Sequence, residues 1–356
     1  MKKVALLFSG YNQRTVISLC RYFSSIGQEF VIVSSGSNDT IYQTIYKNNV
    51  ILERKNKNLV VDLFRDASNT LLTHLIYCPT SEYLNIFVLK NAENLENIGV
   101  ATGMPDRSAY VTVTNKKSSQ RILETVKGVK FPEEIPFSNA TAPCIIKPKR
   151  NIADGRILYP VICEDNNDLV KNMENIDTSK YFLQKLISGQ SYYICGYLNK
   201  CGRYSYYWQE NLLQQAGGKS IVLARTCANP GFEESGLFNA IASVGYYGPI
   251  MAEFIKEEDD FYYIELNPRF WGPLQLGVDC RSDFLSLYAN EWFGRPHVTS
   301  AVKRHKMNIY YSWYLGAQQP DLKVYPAAKY LKDLKQKIEN YDVYKHPDTI
   351  NLYKKQ

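Results

Sequence analysis

No run in the 356-residue sequence approaches the ~20 consecutive apolar residues of a membrane-crossing helix, so none is a candidate for a helical span. The opening Met1-Lys2-Lys3-Val4-Ala5-Leu6-Leu7-Phe8 has a basic start, but its apolar stretch is too short for a signal peptide and polar residues 9–14 follow. None of the 8 cysteines lies in a C-x-x-C pair, and most sit in apolar runs such as Pro143-Cys144-Ile145-Ile146. They read as buried thiols rather than metal ligands, and a cytoplasmic, reducing setting is expected. The histidines (His74, His297, His305, His346) are not clustered, and no G-x-G-x-x-G dinucleotide fingerprint occurs. A net charge of +7 is mild for this length: it suits anionic ligands such as nucleotides without requiring nucleic acid. The 28 tyrosines carry no functional signal of their own.

The 45% hydrophobic and 22% charged residues describe an ordinary globular chain, long enough for two or three domains. Residues 4–8 form a short apolar run ended by Ser9-Gly10, which reads as a buried parallel strand. Val16, Ile17, Leu19, Cys20 and Phe23 recur at helical spacing over 14–26, Gly27 stops the helix, and 30–33 is the next strand. A β-α-β opening predicts an open, doubly wound sheet with a ligand crevice at its strand ends. Ser9-Gly10-Tyr11-Asn12 lies at the first such end, either as a plain turn or as a substrate contact. Strand 75–78 leads into Pro79-Thr80-Ser81-Glu82, a helix start with Thr80 or Ser81 as cap and Glu82 suited to its N-terminus. The polar stretch 91–106, with Gly99, Gly103 and Pro105, marks a boundary. Three regions follow: 1–105, 106–295 (a lid over 106–185, then 186–295), and a C-terminal extension over 296–356 packed on the core. Helices are expected over 120–127, 165–175 and 237–244. Strands are expected over 143–150, 181–187, 191–198 and 204–208, with a Lys-rich helix over 327–338.

The centre of the chain is Tyr262-Tyr263-Ile264-Glu265-Leu266-Asn267-Pro268-Arg269-Phe270-Trp271-Gly272, preceded by Met251-Ala252-Glu253-Phe254. The acidic run 256–260 between them reads as a hairpin turn. Side chains two apart on a strand share a face, so Glu265, Asn267 and Arg269 project together and the partner strand brings Glu253 to them. Oxygen ligands beside a guanidinium suit a hard cation that bridges phosphates. Both glutamates sit in apolar strands, where an unpaired carboxylate is costly. Arg269 is alternatively only a salt-bridge partner of Glu265.

The ordered run K-P, Q-K-L-I-x-G, G-x-x-x-A-E-F and E-L-N-P-R-F-x-G resembles the ATP-grasp superfamily. The likeness is to stand-alone carboxylate–amine ligases and to the synthetase domains of carbamoyl-phosphate synthase. It implies an α/β fold in which an N-terminal doubly wound parallel sheet precedes a two-lobed α+β ATP-grasp domain. By that resemblance Lys116 and Lys147 contact nucleotide phosphates. Gln184, Lys185 and Ile187 belong to the hinge strand at the adenine edge. Glu253, Glu265 and Asn267 hold Mg²⁺ (or Mn²⁺), and Arg269 steadies the transferred phosphoryl group. Lys117 reads as solvated. Two departures stand out. The loop after Lys147 keeps only Gly155, flanked by Arg150, Asp154 and Arg156, where the family is glycine-rich. Ser191 stands where a glutamate commonly holds the ribose, and a hydroxyl bonds it more weakly.

The implied reaction is ATP-dependent activation of a carboxylate as an acylphosphate, followed by attack of an amine. Bicarbonate activation of the carboxylase or carbamoyl-phosphate type, or nucleotide binding without turnover, are the rival readings. The expected partners are a small-molecule carboxylate and an amine, with a homodimer allowed and neither nucleic acid nor membrane. Gly217-Gly218, Arg225 and Trp271-Gly272-Pro273 are candidate substrate contacts, the first two alternatively a turn and a surface residue.

Overall fold

The computed structural model describes residues 2–55, 58–71, 73–153, 156–296 and 305–354. The chain opens with β1 (Lys3–Phe8), α1 (Gln13–Ser25), β2 (Phe30–Ser34), β3 (Val50–Glu53), α2 (Val61–Leu71), β4 (His74–Tyr77), α3 (Glu82–Lys90), α4 (Ala92–Asn97) and β5 (Val100–Ala101). The five strands form one parallel sheet in the order β3-β2-β1-β4-β5. Alternation along β1 sends Val4, Leu6 and Phe8 into one core and Ala5 and Leu7 into another, so the central strand is buried on both faces. The order reverses between β1 and β4, which puts the crevice of a doubly wound sheet at their C-terminal ends.

Next come α5 (Arg107–Thr114), α6 (Lys116–Leu123) and β6 (Val129–Lys130). Helix α6 begins four residues before the expected 120, because the Asn115 side chain accepts from the Lys117 and Ser118 amides and caps it there. Strands β7 (Glu134–Ile135), β8 (Cys144–Pro148), β9 (Ile152–Ala153), β10 (Arg156–Ile157) and β11 (Val161–Cys163) follow, then α7 (Asn166–Met173) and β12 (Tyr181–Lys185). A four-stranded antiparallel sheet, β11-β8-β12-β7, has its own small core of Cys144, Ile146, Cys163, Leu169 and Leu183.

The remaining sheet contains β13 (Gln190–Leu198), β14 (Tyr204–Gln215), β15 (Ile221–Cys227), β16 (Gly248–Glu257) and β17 (Asp260–Asn267), with α8 (Glu234–Ser243) between β15 and β16. Helices α9 (Leu274–Asp279) and α10 (Phe284–Phe293) then lead to β18 (Tyr310–Ser312) and β19 (Leu322–Val324). The strand order is β18-β15-β14-β13-β16-β17-β6, with β19 paired to β14. On β13, Ile194 and Leu198 face α8, while Tyr193, Cys195 and Tyr197 face α10 and the N-terminal layer.

Two expectations need correction. Strand β14 does not stop at 208 but runs to Gln215, because Gln209, Glu210, Asn211 and Gln214 are buried and hydrogen-bonded rather than loop residues. The Lys-rich stretch is not one helix over 327–338: a 3-10 turn (Pro326–Tyr330) and a helix (Leu334–Asn340) are separated at Asp333, whose φ is +57°. The C-terminal region is tied to α1 through Arg21, which bonds Asp348 at 2.8 Å, Thr349 at 2.6 Å and the Val343 carbonyl at 2.8 Å. All eight cysteines are free. Among the described residues no helix is long and apolar enough to cross a membrane.

Candidate active site

The β16–β17 hairpin turns through Glu258-Asp259, with Glu258 at φ +54°. Its register sets Glu253 directly opposite Glu265 and Met251 opposite Asn267. A bulge follows, since Phe254 pairs with Tyr263 and leaves Ile264 without a partner on β16. The Lys147 ammonium, on β8 of the other sheet, donates to the Ile264 carbonyl at 3.0 Å. The bulge thus leaves free the acceptor that Lys147 reaches from the other sheet.

Period two along β17 brings Asn267 to Glu265, and its Nδ2 donates to Glu265 Oε1 at 2.7 Å. Arg269 Nη2 donates to Asn267 Oδ1 at 3.2 Å and Nη1 to the Phe270 carbonyl at 3.3 Å, so its guanidinium reaches Asn267 within the same constellation. Lys116, first residue of α6 and only 6% exposed, places Nζ 3.2 Å from Glu265 Oε2.

Burial acts on these groups unequally. It raises the Glu253 carboxyl, the Glu265 charge raises it further, and Lys147, Lys323 and the Tyr193 hydroxyl only partly offset this. Burial also acts upward on Glu265, but Lys116, the Asn267 amide and Lys147 more than compensate and hold it below the ordinary carboxylate range. Lys147 is pushed down to about 8 by burial and then by Lys116, against the pull of both glutamates. Of the two acids, Glu253 is the one whose charge its surroundings disfavour, and a cation between the two would relieve it.

That is a fit for a divalent cation. Among the described residues no group of three or more His, Cys, Asp or Glu side chains could hold a metal. Two carboxylates and an amide suffice for Mg²⁺, which keeps much of its octahedron for phosphate oxygens and water.

The hinge residues lie where the two sheets meet. Gln184 on β12 is buried, donates through Nε2 to the Pro132 carbonyl at 3.3 Å, and leaves Oε1 without a partner. Lys185 turns its side chain to solvent while its amide donates to the Glu133 carbonyl at 2.8 Å. Ile187 is buried. Gly189 passes so near β16 that a Cβ there would stand 2.1 Å from the Lys256 carbonyl oxygen, which explains the glycine. Ser191 is fully buried and accepts from Asn211 Nδ2 at 2.8 Å.

Gly217-Gly218 is the outward turn between β14 and β15, at φ +72° and +69°. Arg225 pairs with Glu210 at 2.6 Å beside Tyr192. Trp271 is buried, and Gly272 admits the Arg14 guanidinium at 3.0 Å from where a Cβ would be. Lys117 is not wholly solvated: it pairs with Glu134 and lies 4.4 Å over the Phe182 ring. Asp154, Gly155 and His297 lie outside the described residues.

Three residues at the site were not singled out for it. Glu82 reads from the sequence as a helix-start acid, yet it is 8% exposed, accepts from Asn151 Nδ2 at 3.2 Å and feels Arg269 and Lys116. Asn151, in the glycine-poor loop, also accepts from Lys116 Nζ. Lys323 arrives from the far end of the chain, and its charge acts on Glu253. Only an acid so soon after a strand end hinted at Glu82; nothing local pointed to the other two.

No family model matches the sequence, and no curated protein matches it. Solved structures do. The biotin carboxylase domain of 2-oxoglutarate carboxylase from Hydrogenobacter thermophilus, a dimer with MgADP, ADP and bicarbonate, is similar with a TM-score of 0.65 and 16% identity, over 86% of this chain and 73% of that one. N5-carboxyaminoimidazole ribonucleotide synthetase from Thermus thermophilus gives 0.59 and 13%, over 82% and 79%. L-amino acid ligase from Bacillus licheniformis gives 0.58 and 14%, over 82% and 74%. The order of the two sheets, the hinge between them and these likenesses agree, and the chain has the ATP-grasp fold.

Proposed function

We propose that the chain is an ATP-dependent ligase that activates a substrate carboxylate as an acylphosphate and joins it to an amine, releasing ADP and phosphate. The observation that carries this reading is the convergence of Glu253, Glu265, Asn267, Arg269, Lys116 and Lys147 from three separate parts of the fold. Glu253, Glu265 and Asn267 would hold Mg²⁺, which neutralises phosphate charge when bound. Lys116 and Lys147 supply compact ammonium charges to the phosphate chain, and exchange their present partners, Glu265 and the Ile264 carbonyl, for phosphate oxygens. Burial and then the Lys116 charge lower Lys147, and phosphate oxygens beside it would favour its charged form. Arg269, held in place by Asn267, faces the charge that develops on the transferred group.

In the first step a carboxylate oxygen attacks the γ-phosphorus and the bond to the ADP oxygen breaks. In the second, the amine nitrogen attacks the acyl carbon, the bond to phosphate breaks, and the nitrogen gives up a proton. No protein nucleophile is required, so positioning and charge neutralisation are the protein's part. The likeness to a biotin carboxylase domain favours bicarbonate as a second candidate for the carboxylate. A neighbour complexed with MgADP and another that ligates L-amino acids support nucleotide and small-molecule ligands, and the free cysteines support a reducing, cytoplasmic setting.

ADP release from Mg-ATP against pooled carboxylates and amines tests the reading. Release only when both pools are present supports the ligase. Release with bicarbonate alone supports the second candidate, and tight ATP binding without any release contradicts both.

A further inference from the structure

The C-terminal strand β19 breaks the rule for an edge strand. Val324 is 47% exposed, while Lys323 beside it is turned inward with its ammonium 4.9 Å over the Tyr325 ring. An edge strand that hides its lysine and shows its valine forgoes burial, and such local violations gather at functional sites. The inward side is the face of Ser191, whose hydroxyl meets Tyr325, and of Tyr193, which stands opposite Glu253 in the ladder. Lys323 is the C-terminal residue whose charge acts on Glu253, yet among the described residues no ion pair joins the two.

The placement is rigid. Gln214 pairs with Lys323 and Leu213 with Val324 in the ladder. A directed chain of buried hydrogen bonds then fixes the next residue. Gln209 donates to Asn211 at 2.7 Å, Asn211 to Ser191 at 2.8 Å, Ser191 to the Tyr325 oxygen, and Tyr325 to Gln214 at 2.5 Å. The Ala327 amide donates to Gln190 Oε1 at 2.8 Å, which ties the same segment to the start of β13, next to the hinge. Ser191, the residue in place of the family's ribose acid, is therefore engaged in holding Tyr325, and the segment it holds carries a cation.

We propose that the C-terminal extension completes the nucleotide site, with Lys323 as a third phosphate-binding ammonium on the Glu253 flank, in addition to Lys116 and Lys147. This rests on the ATP reading above. It also gives a physical reason for both departures from the family pattern. A lysine fixed by strand addition supplies positive charge that a glycine-poor loop presents less well. The hydroxyl at Ser191 serves the strand that carries this lysine.

The test is calorimetric binding of MgADP and of adenosine to the full chain, wild type against Lys323→Ala and Lys323→Arg. The expected result is MgADP affinity about 10–100-fold weaker in Lys323→Ala, adenosine affinity unchanged, and partial recovery in Lys323→Arg. A wild-type protein that binds MgADP while Lys323→Ala binds it within twofold overturns the inference and leaves the ligase reading standing. Equal losses for MgADP and adenosine also overturn it, since the lysine then serves only the strand's placement. A wild type that binds neither ligand overturns the ATP reading on which the inference rests.

Discussion

Glu253 and Glu265 stand opposite each other on paired strands, yet only Glu265 has an ammonium in contact and an amide bonded to it. This asymmetry sets a pH dependence. In the metal-free protein Glu253 is raised, first by burial and then by Glu265, so the native state binds a proton that the unfolded chain has already released. Its contribution to stability is therefore present at low pH and is lost as pH rises from the ordinary carboxylate range through the raised Glu253 value. A urea-denaturation series across that window should show this decline, and Glu253→Gln should flatten it; an unchanged slope in the variant contradicts the assignment. Adding Mg-ATP should reverse the sign, because binding requires the ionised carboxylate. Glu265→Ala should lower turnover at least about 100-fold with the fold retained by circular dichroism. Near-normal activity in that variant contradicts the metal-site assignment.

At the scale of elements, the hairpin was readable because β16 and β17 are largely apolar runs on either side of a local acidic turn. The β-α-β opening was readable because its strands are contiguous apolar runs and its helix repeats apolar residues at helical spacing up to Gly27. Helix α6 began earlier than its hydrophobic pattern suggested, because one capping asparagine decided its start. Strand β14 was read short since buried amides look like loop residues until their partners on β13 are known. The role of Lys323 was invisible for a stronger reason. Its strand pairs with residues more than 100 positions earlier, and no local periodicity carries that information. The hinge is a second element with a sharp requirement. Gly189→Ala should cost about 1–3 kcal/mol in chemical denaturation, since a Cβ would meet the Lys256 carbonyl at 2.1 Å and β16 would have to yield. A variant as stable as the wild type would show that the two strands separate freely there.

Across the whole molecule, the site exists only because distant segments meet. Glu82 comes from the N-terminal layer, Lys147 from the four-stranded sheet, the acids from the central hairpin, and Lys323 from the C-terminal strand. Arg21 is one of the ties that keep the last segment in place, with Asp348 almost as buried as itself. Arg21→Ala leaves that carboxylate without its partner, and the expected loss is about 3–5 kcal/mol in unfolding free energy. A loss below about 0.5 kcal/mol, the size of an ordinary surface substitution, would show that the C-terminal segment is held by other contacts.

The central claim, that a carboxylate is activated by phosphoryl transfer, is tested most directly by following its oxygen. The protein is incubated with Mg-ATP and a pool of amino acids and small carboxylates labelled with ¹⁸O in the carboxylate group, and the released phosphate is analysed by mass spectrometry. An acylphosphate requires one labelled oxygen to pass from the carboxylate to the phosphate. Phosphate released with no label from the carboxylate would contradict it.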